Sequence, residues 1–136
     1  MRKRTRAREF ALKALYQIEM TKDNCPDSLA TFWSDHKAEE DVKEFAAGLV
    51  SGTIENLKKI DEVIARHTDN WEISRMAKVD RNIMRMAAYE LLFRDDIPPR
   101  VSINEAVDIA KKYGDMESGK FVNGVLDSIK GEIDKK

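Results

Sequence analysis

The stretch that most restricts the fold runs from Asp80 to Arg94, because its apolar residues cover most of the circumference of a helix. These residues are Ile83, Met84, Met86, Ala87, Ala88, Leu91, Leu92 and Phe93. Strong helix formers fill the stretch, and β-branched residues are nearly absent. Most helices of a small domain carry one apolar stripe, so a helix that is apolar on nearly every side must be surrounded. We therefore predict an all-α domain in which the other helices pack around this central apolar helix.

The composition agrees with a compact helical domain. A chain of 136 residues is long enough to bury a core, and 36% charged with 42% hydrophobic residues argues against disorder. Cys25 is the only cysteine, so we expect no internal disulfide, no metal site of the Cys/His kind and no cofactor. No apolar run has the length of a membrane span, and the basic N-terminus lacks the apolar segment of a signal peptide. We therefore predict a cytoplasmic protein.

Further helices are predicted where apolar residues recur at i, i+3, i+4 and i+7. Before the central helix, the predicted segments are a first helix from Thr5, a short helix through Leu29 and His36, a long helix from about Ala38 to His67 and a short turn between Trp71 and Met76. After it come a helix that starts at a Ser102–Glu105 capping box and a last helix that opens at Asp115 or Ser118. No strand pattern appears. Together with the central helix, these segments predict roughly six or seven helices.

The first helix carries a basic face. Net charge is −1, but residues 2–13 contain six basic residues against one acid, Glu9. Arg6, Lys13 and Tyr16 lie opposite the apolar stripe, whereas Arg4 and Arg8 lie nearer to it. Single-stranded nucleic acid needs cations for its backbone and rings for its bases. We predict phosphate contacts from these four cations and stacking on Tyr16; the alternative is a solvated basic tail.

A second candidate surface lies between Tyr113 and Gly124. Phe121 falls at the rim of the last helix's stripe, Lys120 is beside it, and Tyr113 lies across the loop. An aromatic ring flanked by a cation and an amide such as Asn123 suits stacking on a base and bonding to its edge. The alternative is that Phe121 belongs to the core and Asn123 is solvated.

Nothing in the sequence indicates an enzyme. No hydrolytic triad, phosphate loop or dinucleotide fingerprint is present, and His36 and His67 are isolated. We therefore predict a non-enzymatic binding protein. A homodimeric protein-interaction module without RNA specificity is the alternative, and an exposed apolar surface around Trp71 would favour it.

Several segments together resemble the family of bacterial transcription antitermination factors called NusB. These are Arg6-Ala7-Arg8-Glu9, Ala14-Leu15-Tyr16, Ala88-Tyr89-Glu90-Leu91, Ile103-Asn104-Glu105-Ala106-Val107 and Lys120-Phe121-Val122-Asn123-Gly124-Val125-Leu126-Asp127. The resemblance spans the whole chain. It implies one RNA-binding domain over residues 1–136, with about seven helices in two small bundles of about residues 1–69 and 70–136. Helical domains of this kind also precede some RNA methyltransferases, but this sequence shows no cofactor loop or catalytic Cys motif.

The resemblance also implies partners and contact residues. It implies binding to boxA-type single-stranded nascent RNA together with a small-subunit ribosomal protein acting as NusE, in an RNA polymerase antitermination complex that promotes processive ribosomal RNA transcription. The implied RNA-binding residues are Arg4, Arg6, Arg8, Lys13, Tyr16, Tyr113, Ser118, Lys120, Phe121 and Asn123. The implied partner-protein contacts are Asp80 and Arg85. Thr5 departs from the family pattern by interrupting the arginine run, and Glu117 places an acid beside the RNA surface.

Overall fold

The computed structural model describes residues 2–21, 25–68 and 75–134, and within these ranges the chain forms seven α-helices and no strand. The helices are α1 (Lys3–Thr21), α2 (Cys25–Asp35), α3 (Glu40–Glu55), α4 (Leu57–Arg66), α5 (Lys78–Phe93), α6 (Pro99–Tyr113) and α7 (Met116–Asp134). The all-α prediction is confirmed. None of the described helices combines the length and apolar character needed to cross a bilayer. The turn predicted between Trp71 and Met76 lies largely outside the described residues, as does Trp71 itself.

The chain divides into two compact units, Met1–Glu55 and Asn56–Lys136. The sequence instead predicts a division near residue 69, after a long helix that ends at His67. That helix is instead broken at Asn56, whose φ of −113° and ψ of 19° leave the helical region. Asn is a weak helix former because its side chain competes for backbone hydrogen bonds. The fourth helix therefore belongs to the second unit, where it packs against α5 and α7.

In the first unit, α1 packs against α2 and α3. Ala7 and Ala11 of α1 are fully buried, and so is Leu49 of α3. Small side chains on α1 let the two helix backbones approach closely. Phe10 of α1 meets the Trp33 ring of α2 edge to face, with 5.6 Å between ring centroids. These contacts fix the apolar side of α1 against α2 and α3.

In the second unit, α5 packs against α4, α6 and α7. Ile83, Met84 and Ala88 have no exposed surface, as expected for a helix enclosed by its neighbours. The helix also buries a carboxylate: Glu90, 1% exposed, accepts a hydrogen bond of 2.8 Å from the hydroxyl of Ser102 on α6. Ser102 is therefore a core residue, and the predicted capping box is wrong. Helix α6 begins earlier, at Pro99, because proline suits a first helical turn.

The connection between α6 and α7 is tight at Gly114. A Cβ at this position would lie 2.5 Å from Ser118 Oγ and 2.9 Å from the carbonyl oxygen of Ala110. The side chain of Asp115 accepts a hydrogen bond of 2.8 Å from the backbone N–H of Ser118, so Asp115 caps α7. Of the two predicted openings of the last helix, the structure has the one at Asp115.

We expect Ser102→Ala to lower the free energy of unfolding by about 1–3 kcal/mol, because a buried carboxylate loses a hydrogen-bond donor. Urea unfolding followed by circular dichroism measures the change. Asn104→Ala is the matched control, since it alters an exposed position of the same helix and should change stability by less than about 0.5 kcal/mol. Equal stability of the two variants would contradict a structural role for the Ser102–Glu90 hydrogen bond.

We expect Gly114→Ala to destabilise the protein by about 1–3 kcal/mol, because the added methyl group overlaps Ser118 and Ala110. Gly131→Ala is the control: nothing lies within 4 Å of a Cβ built there. Replacing a helical Gly in open space by Ala should be neutral or stabilise by up to about 1 kcal/mol. Opposite signs in thermal unfolding support the assignment, and a neutral Gly114→Ala variant would overturn it.

Candidate nucleic-acid interface

The polar face of α1 brings two cations and an aromatic ring together on one side of the first unit. Arg6, Phe10 and Lys13 line a shallow depression with Glu9. Lys13 is exposed, and Tyr16, one turn further along, is 43% exposed. The burial of Ala7 and Ala11 against α3 forces this opposite face outward. The structure thus brings Arg6 and Lys13 together, whereas Tyr16 does not line the depression.

Acidic residues ahead of and within the first turn of α3 pair with the cations at the start of α1. Lys3 Nζ lies 2.9 Å from Asp41 Oδ2 and 3.0 Å from Glu39 Oε2. The hydrogen bond from Lys3 lowers the pKa of Asp41, and the same partners raise the pKa of Lys3. Arg6 lies 3.8 Å from Glu39. Exposed ion pairs of this kind are weak, so a phosphate can compete for these cations.

Arg4 and Arg8 both lie over the ring of Phe45 on α3, but only one is accessible. The guanidinium carbons are 4.6 Å and 5.3 Å from the ring centroid, within cation–π range. Arg4 is exposed, whereas Arg8 is only 2% exposed. A buried guanidinium does not meet a phosphate in solvent, so the predicted phosphate contact of Arg8 does not fit its position. Arg8 instead holds α1 against α3.

In the second unit, the predicted residues surround the start of α7. Lys120 is exposed, Tyr113 is 36% exposed, and Ser118, Phe121 and Asn123 are half-buried. The ammonium of Lys112 lies 5.5 Å from the Tyr113 ring centroid. Lys120 lies 3.6 Å from the exposed Glu117. Phe121 is therefore a rim residue, as predicted, and stands beside a cation.

Phe121 lines two concave sites of opposite charge. One, of about 390 Å³, is acidic and is also lined by Asp80, Asp115, Glu117, Ser118 and Arg75. The other, of about 500 Å³, is also lined by Arg66, His67, Lys120 and Ser128. Arg66 and His67 were missed as interface residues, because they precede Lys120 by more than fifty positions and no motif links them.

A polar cluster joins the end of α4 to α7 beside the second concave site. Arg66 Nη2 lies 2.9 Å from Glu132 Oε2, and His67 Nε2 lies 3.3 Å from Glu132 Oε1. His67 Nδ1 is 2.6 Å from the hydroxyl of Ser128. The hydrogen bond from Arg66, and then that from His67, lowers the pKa of Glu132. The carboxylate is therefore charged over a wide pH range and bonds to both Arg66 and His67.

The two predicted partner-protein residues differ in availability. Arg85 forms a two-point ion pair with Asp61 of α4, with both N–O distances 2.8 Å, and its side chain is 14% exposed. It ties α5 to α4, which leaves little of it for a partner. Asp80 lines the acidic site and accepts a hydrogen bond of 3.4 Å from Ser118 Oγ. Burial, with a smaller contribution from Asp115, raises the pKa of Asp80 despite that hydrogen bond.

No metal centre is apparent in the described residues, since no three His, Cys, Asp or Glu side chains of these ranges are grouped to hold an ion. What the two surfaces offer is binding: cations for anionic groups and exposed rings for planar ones.

Comparison with known proteins gives one consistent result. A family model described as the NusB family matches residues 5–130. The chain is 49% identical to the transcription antitermination protein NusB of Anaeromyxobacter dehalogenans, over 93% of this chain and 89% of the relative. It is similar in structure to NusB of T. maritima, with 44% identity, a TM-score of 0.85 and coverage of 95% and 91% of the two chains.

A further solved structure contains ligands. It is a crystal structure of the antitermination factors NusB and NusE in complex with dsRNA, 32% identical to this chain, with a TM-score of 0.87 and coverage of 97% and 98%. The predicted family resemblance is confirmed by these matches.

Proposed function

Because the chain belongs to the NusB family, we propose that it is a transcription antitermination factor that binds RNA and catalyses no reaction. The observation that supports RNA binding best is the pairing of an exposed cation with an accessible ring on each unit. The first unit offers Lys13 with Tyr16, and the second offers Lys120 with Phe121. Lys13, Tyr16 and Lys120 are exposed and Phe121 is half-buried, so each of these side chains reaches solvent.

Each exposed group has a definite role in this proposal. Arg4, Arg6, Lys13 and Lys120 bind phosphates, and the rings of Tyr16, Tyr113 and Phe121 stack on bases. The amide of Asn123 and the hydroxyl of Ser118 bond to base or sugar edges. Stacking of this kind requires bases that are not already stacked in a duplex, which favours a single strand as the ligand.

The finer proposal concerns the RNA and the partner. We propose a boxA-type single strand of nascent RNA, bound together with the small-subunit ribosomal protein NusE within an RNA polymerase antitermination complex that promotes processive ribosomal RNA transcription. Support for RNA and NusE as partners comes from the 32%-identical structure that contains NusB, NusE and dsRNA, whereas the single strand is inferred from the accessible rings. Such a factor works where transcription occurs, so a cytoplasmic location is part of the proposal.

We expect Phe121→Ala to weaken binding of a boxA-type single strand by about 1–3 kcal/mol, because a stacked base loses its platform. Fluorescence anisotropy at two salt concentrations, with and without NusE, measures the affinity. Phe93→Ala is the matched control: Phe93 is 39% exposed on α5 and lies roughly 20 Å along that helix from Asp80, at about 1.5 Å per residue.

Three results would count against the proposal. Equal losses in the two Phe variants would remove Phe121 from the site. Equal binding of boxA-type, scrambled and duplex RNA would leave only a generic basic surface, whose affinity still falls with salt at a log–log slope near −0.7 per phosphate neutralised on a single strand. No binding to any strand with NusE present would favour the homodimeric protein-interaction module.

We expect Asp80→Asn to weaken NusE binding about 2- to 10-fold and to leave the affinity for RNA alone unchanged, because it removes a charge from the acidic site without changing its shape. Isothermal titration with NusE measures the effect. Asp108→Asn, an exposed acid on α6, controls for the change in net charge. Unaltered NusE affinity in the Asp80 variant would exclude the acidic site from the partner surface.

A further inference from the structure

The basic concave site in the second unit has the features of a small anion-binding site. Its volume of about 500 Å³ lies within the range of small-ligand sites. Arg66 and Lys120 lie on its walls, with side chains 53% and 72% exposed. His67 and Ser128 add polar groups, and Phe121 supplies an apolar wall.

A carboxylate of the chain itself, that of Glu132, already bonds to Arg66 and His67 of this site. The guanidinium of Arg66 donates to both oxygens of Glu132, from Nη2 at 2.9 Å to one and at 3.3 Å to the other. His67 Nε2 approaches the second of these oxygens at 3.3 Å. A phosphate takes the same two-point geometry on an arginine as a carboxylate does. Glu132 therefore marks where the oxygens of an external phosphate would be received.

Displacing Glu132 requires little free energy. Its partner Arg66 is 53% exposed and Glu132 itself 29%, so water and salt reach this ion pair and screen it. The pair between Arg85 and Asp61 is different, since Arg85 is only 14% exposed, against 53% for Arg66. The first pair can exchange partners with a ligand, whereas the second holds two helices together.

We propose that this concave site is a phosphate-binding subsite for the RNA strand that stacks on Phe121, and that Glu132, which bonds to Arg66 and His67 beside the site, holds these two side chains until a phosphate takes its place. The inference rests on the proposed function, since it extends the same RNA surface. It adds Arg66 and His67 to that surface and assigns Glu132 the role of an internal competitor. The apolar ring shared by the stacking position and this site favours RNA over a free phosphate as the occupant.

Glu132→Gln tests the proposal, because it keeps the shape of the side chain and removes its charge. We expect about two- to fivefold tighter binding of a single-stranded mixed-sequence RNA dodecamer, since the phosphate no longer displaces an ion pair. Asp127→Asn is the matched control. Asp127 is also on α7 and also pairs with an exposed arginine, Arg100, at 3.2 Å, but Arg100, unlike Arg66, does not line this site.

Arg66→Gln provides a second, independent measurement. Affinity should fall, and the magnitude of the log–log salt slope should decrease by about 0.7, which corresponds to one phosphate contact on a single strand. In the Arg66→Gln background, Glu132→Gln should no longer tighten binding, because the two residues act through one site. Circular dichroism and thermal unfolding establish that each variant is folded.

The outcomes separate this inference from the function on which it rests. Equal affinities of the Glu132 and Asp127 variants, or an unchanged salt slope in Arg66→Gln, would overturn the subsite while Phe121→Ala still weakened RNA binding. If Phe121→Ala also left the affinity unchanged, the proposed RNA function itself would fail. Tighter binding by Glu132→Gln that persists without Arg66 would reduce the effect to net charge and would likewise overturn the subsite.

Discussion

The enclosure of α5 is the constraint on which the second unit depends. Ile83, Met84 and Ala88 are fully buried, and a helix without a solvent-facing stripe must have neighbours on several sides. The helices α4, α6 and α7 supply them. Their arrangement brings Arg66, at the end of α4, near Lys120 on α7, although the chain separates the two widely. The basic concave site is thus a consequence of how one apolar helix is covered.

Weak ion pairs lie at the proposed binding surface, whereas a stronger ion pair stabilises the fold. The cations assigned to RNA have exposed acidic neighbours, as in the pairs of Arg66 with Glu132 and Lys120 with Glu117. Such pairs keep the net charge near zero yet give way to a phosphate at small cost in free energy. Arg85 is only 14% exposed in its pair with Asp61, against 53% for Arg66, so this pair holds α5 and α4 together. A chain with a net charge of −1 can therefore still present a basic surface where it is needed.

Local pattern was enough to predict the class of fold and the central helix, because both depend on side-chain spacing along one helix. It failed where the outcome depends on distant partners. Apolar spacing continues through Asn56, so the sequence pattern does not indicate the helix break at that residue. Ser102 has the sequence context of a cap but lies opposite Glu90, twelve positions earlier. Arg8 looked like a surface cation, and only the position of Phe45 on another helix explains its burial.

The position of Phe121 between two concave sites of opposite charge determines on which side of its ring the RNA backbone of the proposed interface lies. A phosphate beside the ring experiences Arg66, His67 and Lys120 on one side and Asp80, Asp115 and Glu117 on the other. Repulsion from the acids disfavours the second path, and attraction to the cations favours the first. In the proposed function, the partner protein contacts the acidic side while RNA binds the basic side. Because both sites share the wall formed by Phe121, a change in that side chain acts on RNA binding and partner binding together, whereas a change in Glu132 or Asp80 acts on one of them.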